Sequence, residues 1–239
     1  MPSEPGPVAL RAGHVDLWRV SLDDHVADLS ARRAVLTSQE AARADRFAFP
    51  ENRDLYVLTR GRLRTLLGGF LDVAPRSVRL RLGERGKPEL DGPHRAAGVW
   101  FNVAHSGRLG CIAITTEGPV GVDVERIRPD VATSGLAERF FSAPEVAALR
   151  RLSAPAQERA FFECWTRKEA YIKALGTGLA ERLDRFAVSL GPGCPAELRW
   201  VADGPTEPPQ WTVSDVDVDV GYVAAMAIRA PQVSVALWP

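Results

Sequence analysis

The sequence predicts an α+β protein of two similar lobes, and three observations predict it. Short stretches such as HVDLWRVSL (14–22) and WTVSDVD (211–217) alternate apolar and polar residues, the period of a half-buried strand. Longer stretches place leucines near a period of 3.6, as a helix requires. A weak internal echo, SGRLGCIAIT (106–115) against DVGYVAAMAI (219–228), twice leads a glycine into a small-residue apolar strand after a long helical region. A duplicated unit dividing near residues 117–119, into 1–118 and 119–239, explains the echo.

Taken in order, His14 to Leu22 reads as a strand and the pattern turns helical from Ala27 to about Leu71. Thr37 or Ser38 offers an N-cap before QEAARADRF, and Pro50 interrupts before a run carrying Leu55, Leu58, Leu63, Leu66 and Leu67. SVRLRL reads as a short strand, and GERGKPEL as a turn-rich loop. FNVAHSG then stands at a strand entrance, and RLGCIAIT and VGVDVERI, joined by TEGP, read as a hairpin. Residues 137–152 read as helix, with Ser142 as cap, Pro144 in the first turn and Glu145 at the capping-box position. A further helix from about Ala156 to Leu175 is ended by Gly176 and Gly178, and FAVSL, ELRWV, WTVSDVD and GYVAAMAI supply strands.

Composition narrows the function classes. The chain has 239 residues, 46% hydrophobic and 25% charged, with 30 basic and 30 acidic side chains. A net charge of zero gives no chain-wide field toward nucleic acid or anionic membrane, so any polyanion must be met locally. The N-terminal stretch lacks the basic start and apolar run of a signal peptide, and no segment approaches the ~18 apolar residues of a membrane span, so a cytoplasmic protein is expected. Cys111, Cys164 and Cys194 lie far apart without metal-ligand spacing and are expected to be unpaired.

The chemistry-bearing residues begin in GVDVE. On a strand, Gly121, Asp123 and Glu125 share one face and Val120, Val122 and Val124 the other. Two carboxylates about 7 Å apart read either as acids facing water or as hard oxygen ligands for Mg²⁺. In FFECWTRKEAYIKALGTGL, Phe161, Trp165, Ile172 and Leu175 fall on one helical arc with Lys168 and Glu169 beside them. A carboxylate there is costly unless paired or metal-bound; Glu169 and Lys173 at i,i+4 offer the simple alternative of a helix salt bridge. The chain has only three lysines, Lys87, Lys168 and Lys173, against an arginine default, and a compact ammonium on a flexible stem suits a phosphate that moves. Lys87 lies between Gly86 and Pro88. Asn102, His105 and Ser106 precede Gly107 in a cluster able to hold phosphate, and Arg43, Arg46, Arg53 and Arg60 on helical sequence read as surface charge or as phosphate clamps.

GVDVERIRPD followed about forty residues later by FFECWTRKEAYIKALGTGL, with RGKPEL and FNVAHSG upstream, resembles the ordered motif set of the 4′-phosphopantetheinyl transferases, specifically the two-lobed type serving peptide and polyketide synthases. The resemblance implies two lobes about a pseudo-twofold axis with coenzyme A in the cleft between them. It also implies Mg²⁺-dependent transfer of 4′-phosphopantetheine to a serine of an apo acyl or peptidyl carrier protein, with release of adenosine 3′,5′-bisphosphate, and no nucleic-acid or membrane partner. Carried over by motif, Asp123, Glu125 and Glu169 become metal ligands, Glu169 also a candidate base, and Lys168 and Lys173 the groups that neutralise phosphate charge. Arg43, Arg46, Arg53, Lys87, Pro88, Asn102, Ala104, His105 and Ser106 fall to coenzyme A. Ala104 departs from the serine usual at its position, which removes a hydroxyl contact and leaves the backbone. The carrier is expected to dock near Phe140, Phe141 and Arg151, and two lobes in one chain make a monomer the simplest assembly. The alternatives are a non-catalytic coenzyme A or carrier-protein binding module of the same fold, and a Mg²⁺-dependent nucleotide hydrolase.

Overall fold

Strand β1 (His14–Ser21) leads into a helical region that begins at Leu22 rather than Ala27 and is divided at the expected cap and proline: α1 (Leu22–His25), a 3-10 turn, α2 (Leu29–Ala34), α3 (Ser38–Ala44) and the long α4 (Pro50–Leu71). The computed structural model describes residues 9–83, 86–129, 133–176 and 182–239. Thr37 and Glu40 form a reciprocal capping box that starts α3, and Pro50 begins α4 where its missing N–H has no helical partner to lose. SVRLRL contributes only β2 (Leu80–Leu82), which pairs with β3 (Pro88–Leu90). FNVAHSG is itself most of strand β4 (Trp100–Ser106), and the hairpin it makes with β5 (Leu109–Thr115) turns at Gly107, whose φ of 58° suits glycine.

The hairpin expected between RLGCIAIT and VGVDVERI does not form. Both edges of β5 are taken by β1 and β4, so TEGP carries the chain out of the first sheet, and β6 (Val120–Arg126) pairs elsewhere. The helix expected over 137–152 breaks at Phe141–Ser142 into α5 (Thr133–Phe140) and α6 (Ala143–Leu149), because the Ser142–Glu145 capping box restarts it. Helix α7 (Ala154–Leu175) follows and ends at Gly176 in the left-handed region; Gly178 lies outside the described residues. The remaining strands are β7 (Phe186–Val188), β8 (Leu198–Val201), β9 (Thr212–Val216), β10 (Tyr222–Ile228) and β11 (Ser234–Trp238).

The first sheet has the order β11-β1-β5-β4 and the second β6-β10-β9. Strand β11 runs parallel to β1, so residues 234–238 cross the division expected at 118–119 and complete the first lobe's sheet. Alternation along the strands then builds layers. Trp18, Val20, Ile112 and Ile114 pack with Leu58, Leu63 and Leu67 of α4. Val15, Leu17, Cys111 and Ala113 meet Val120, Val122, Val124, Ala224 and Met226 of the second sheet in a core shared by the lobes. Phe161, Ala170, Tyr171 and Ile172 of α7 cover the far side of that sheet with Val223, Ala225 and Ala227. Cys111, Cys164 and Cys194 are all free thiols. No helix among the described residues is long and apolar enough to cross a membrane.

The lobes repeat one plan. Helices α4 and α7 each have 22 residues and pack on the sheet of their own lobe, α4 on β5 and β1 and α7 on β6 and β10, and each lobe carries a capping box on the short helix before them. The packing is tightest at Gly121. A Cβ added there would stand 1.9 Å from the Ala170 carbonyl oxygen and 2.5 Å from the Ala174 nitrogen, both backbone atoms of α7. Gly121→Ala therefore has to push β6 off the helix, and an overpacking cost of roughly 3 kcal/mol or more is expected, read as a lowered midpoint in urea or thermal denaturation.

Candidate active site

The face of β6 that carries Gly121 also carries Asp123 and Glu125, so the close approach to α7 delivers both carboxylates to the helix face bearing Glu169 and Lys173. Lys173 Nζ donates to Asp123 Oδ1 at 2.6 Å and to the Val122 carbonyl at 3.2 Å. The alternative of an i,i+4 salt bridge to Glu169 is not realised; the ammonium turns to the strand, where the more deeply buried carboxylate lies. Asp123 is 6% exposed, and its second oxygen, Oδ2, is buried without a hydrogen-bond partner. Burial pushes the Asp123 carboxyl up to about 7; Lys173 opposes the rise and the charges of Glu125 and Glu169 add to it. Burial likewise raises Glu169, with Lys173 lowering it and Glu125 raising it. These mutual effects place the three carboxylates as electrostatic neighbours. They do not form a closed cage: among the described residues, no three His, Cys, Asp or Glu side chains stand in a ready metal-binding group. The all-oxygen donor set and the orphaned Asp123 Oδ2 fit a hard divalent cation that completes its shell with water and phosphate oxygens.

Strand β4 closes the other side of the site. Its neighbour β6 is the edge of the second sheet, and side chains rather than a ladder join the two edges. Asn102 Oδ1 accepts the Val122 N–H at 2.9 Å. Ser106 Oγ donates to Glu125 Oε2 at 2.6 Å and accepts the Arg126 N–H at 3.2 Å. Asn102 is buried and committed to this seam, so it is not offered to a ligand as expected from its motif. Ala104 is also buried and points into the core between the lobes, so its side chain reaches no ligand either. His105, one residue on, faces outward. It lines a pocket of ≈ 230 Å³ with Arg43, Arg60, Tyr56, Gly86 and Pro88. Arg46 stands in the larger cleft adjoining it.

Three other expectations are corrected. Lys168 is fully buried and directed away from the carboxylates. Its Nζ lies 2.8 Å from Glu145 Oε2 and donates to the carbonyls of Leu183 and Phe186 at 2.9 and 2.6 Å, 4.3 Å from the Phe186 ring centroid. Arg64 does the same work in the first lobe: it donates to Glu40 at 2.6 Å and to the Pro75 and Val78 carbonyls at 2.9 and 3.1 Å. Both cations sit fourteen residues after the first residue of their long helix and bind the capping-box glutamate of their own lobe. Lys168 is thus a structural cation, not a phosphate ligand. Arg53 pairs with Asp54 at 2.7 Å and lines neither the pocket nor the cleft. Phe141 is 4% exposed and stacked on Phe161, so its ring offers only an edge, in the wall of a surface pocket with Ser142, Val146 and Arg150.

Lys87 has a double position. Its Nζ donates to the Val120 carbonyl at 3.0 Å and to the Lys173 carbonyl at 2.6 Å, fastening the β2–β3 hairpin to the second lobe beside the catalytic candidates. Burial lowers its pKa to about 8. Arg60, read from the sequence as surface charge or a phosphate clamp, is brought into the pocket by its place on α4, one turn after Tyr56.

Two family models meet near residue 118. The 4′-phosphopantetheinyl transferase superfamily model matches residues 119–227, and the 4′-phosphopantetheinyl transferase N-terminal model matches residues 18–117. The 4′-phosphopantetheinyl transferase HetI of Nostoc sp. is 38% identical over 94% of this chain and 92% of its own length. The chain belongs to the 4′-phosphopantetheinyl transferase superfamily. Two further members are similar at 30% identity: psf-1 of Bacillus pumilus, over 88% of this chain and 87% of that protein, and Sfp of Bacillus subtilis, over 82% and 88%.

Within this superfamily fold the Lys168–Glu145 pair belongs to the scaffold, and it makes a prediction. Lys168→Ala leaves a buried carboxylate unpaired and is expected to cost about 3–5 kcal/mol of stability, measured by denaturation. Adding Glu145→Gln to it should recover part of that loss, whereas a phosphate-binding role predicts near-wild-type stability for Lys168→Ala.

Proposed function

We propose that the protein transfers the 4′-phosphopantetheine group of coenzyme A to a serine of an apo acyl or peptidyl carrier protein, in a Mg²⁺-dependent reaction that releases adenosine 3′,5′-bisphosphate. The observation that carries this reading is the convergence of Asp123 and Glu125 from β6 with Glu169 and Lys173 from α7, beside a pocket lined by Arg43, Arg60 and His105. The family and the homologues named as 4′-phosphopantetheinyl transferases support the reaction class.

Asp123, Glu125 and Glu169 would hold the cation, which when bound supplies charge neutralisation for the pyrophosphate of coenzyme A. The serine oxygen forms a bond to the β-phosphorus as the bridging oxygen to the α-phosphorus leaves with the adenosine bisphosphate. Glu169 is the group placed to take the serine proton; its raised pKa makes it a stronger base than a solvated carboxylate. Lys173 is the cation nearest the carboxylates and would neutralise charge on phosphate oxygens bound beside Asp123. Arg43, Arg60 and His105 orient the phosphate-bearing end of coenzyme A.

Incubation with coenzyme A, Mg²⁺ and a panel of apo carrier proteins from fatty-acid, polyketide and peptide pathways, read by intact mass, should show one phosphopantetheine gained. Tight coenzyme A binding with no gain on any carrier favours the non-catalytic module, and coenzyme A cleavage without a carrier favours the hydrolase. Glu169→Gln and Asp123→Ala are each expected to lower turnover by about a hundredfold or more with unchanged circular dichroism. A wild-type rate in either variant overturns the assignment of the carboxylates.

A further inference from the structure

At the junction of the lobes, a pocket of ≈ 370 Å³ opens at the ends of β4 and β6 that lie away from Ser106 and Glu125. Its walls come from the β2–β3 hairpin, the start of β4, Pro119 and the last turn of α7. It shares only Pro88 with the pocket beside His105. The volume falls within the range of about 300–1,000 Å³ that holds small organic ligands.

The lining joins apolar surface to an excess of positive charge. Trp100 and Leu175 are 46% and 38% exposed, large apolar side chains that folding leaves in water, and both stand in this one pocket, one from each lobe. Pro88 and Pro119 add rigid apolar surface without an N–H to satisfy. Glu89, the one acid among the lining residues, is the partner of Arg81 at 2.6 Å. Arg95 makes no hydrogen bond or ion pair among the described residues. Lys87 Nζ gives two of its donors to the neutral carbonyls of Val120 and Lys173 and keeps a third. The end of α7 brings partial negative charge, and Lys87 already takes up the Lys173 carbonyl there. Two cations thus stand beside the apolar wall without an acid to match them.

A guanidinium fork matches the two oxygens of a carboxylate, and a half-exposed indole offers a stacking partner to a flat ring. We infer that this junction pocket is a binding site for a small aromatic carboxylate, its ring against Trp100, Leu175 and Pro119 and its carboxylate held by Arg95 and the free donor of Lys87. The site stands without the transferase reading. Lys87 nevertheless ties it to the catalytic candidates, because the ammonium that would meet the ligand also holds the Lys173 carbonyl, and Lys173 pairs with Asp123. An occupant is joined to the carboxylate cluster through two lysines without entering it.

The test is calorimetric titration of the full chain with cinnamate. Wild type should bind one equivalent, and the neutral cinnamamide should bind about tenfold more weakly, the loss expected for one charge-assisted hydrogen bond. Arg95→Ala should weaken cinnamate by a similar factor with an unchanged melting temperature, since Arg95 is exposed and bonds to nothing described. Trp100→Ala should weaken cinnamate and cinnamamide alike, because it removes the surface that the ring covers. Cinnamate that does not bind wild type, or binds both variants as tightly, overturns the proposal, as does cinnamamide that binds equally well. A loss in His105→Ala equal to that in Trp100→Ala would move the ligand to the other pocket, and an equal loss in Trp200→Ala, at a tryptophan of similar exposure on the second lobe, would reduce the effect to unselective contact with exposed rings; either result also overturns it.

Discussion

Val122 gives its backbone N–H to the side-chain carbonyl of Asn102 rather than to a neighbouring strand, and that bond fixes where β6 lies. Strand β6 is a sheet edge, and an unpaired edge N–H buried between two lobes would be costly. The amide of Asn102 meets that requirement from an edge strand of the other sheet. With β6 held from β4 on one side and pressed on α7 at Gly121 on the other, Asp123 and Glu125 have little freedom in where they stand. Ser106 extends the same seam to Glu125, so the first lobe positions a carboxylate that the second lobe supplies.

The repeated plan also explains why the molecule has one such site and not two. In the ladder registers, Asp123 stands opposite Ala225 on the central strand β10, and Glu125 opposite Val223. Aligning the SGRLGCIAIT and DVGYVAAMAI echo puts Ile112 and Gly110 of β5 at those places, and their partners on β1 are Trp18 and Val20. On the long helices, matching Arg64 with Lys168 puts Thr65 and Gly69 where Glu169 and Lys173 stand. The second position is therefore packed with Trp18 against α4. The scaffold pair survives in both lobes and the chemistry in only one, which is why two lysines five residues apart have unrelated tasks.

Local signals made much of this fold legible. The Thr37–Glu40 and Ser142–Glu145 boxes, the Gly176 stop and the alternation of β1, β5, β6 and β10 are each properties of a few adjacent residues. The face shared by Gly121, Asp123 and Glu125 was legible for the same reason, because strand geometry alone dictates it. What escaped depends on distant partners. TEGP looks like a hairpin turn, but strands far away in sequence already occupy β5. Lys168 falls on the packed side of its helix, yet only the arrival of Glu145 from α6 says what it does there. The Glu169–Lys173 spacing permits a helix salt bridge, and a carboxylate 50 residues upstream outcompetes it.

Strand β11 joins β1 in parallel, so the first lobe's outer strand is supplied long after its other strands have been synthesised. Until those residues leave the ribosome, the outward edge of β1 has no partner and its row of amides is open to pairing with another chain. Such non-local closure slows folding, because loop entropy is lost before the contact forms. The early half of the molecule is in this sense a nascent species with an aggregation hazard, and its protection comes from the far end of the same polypeptide.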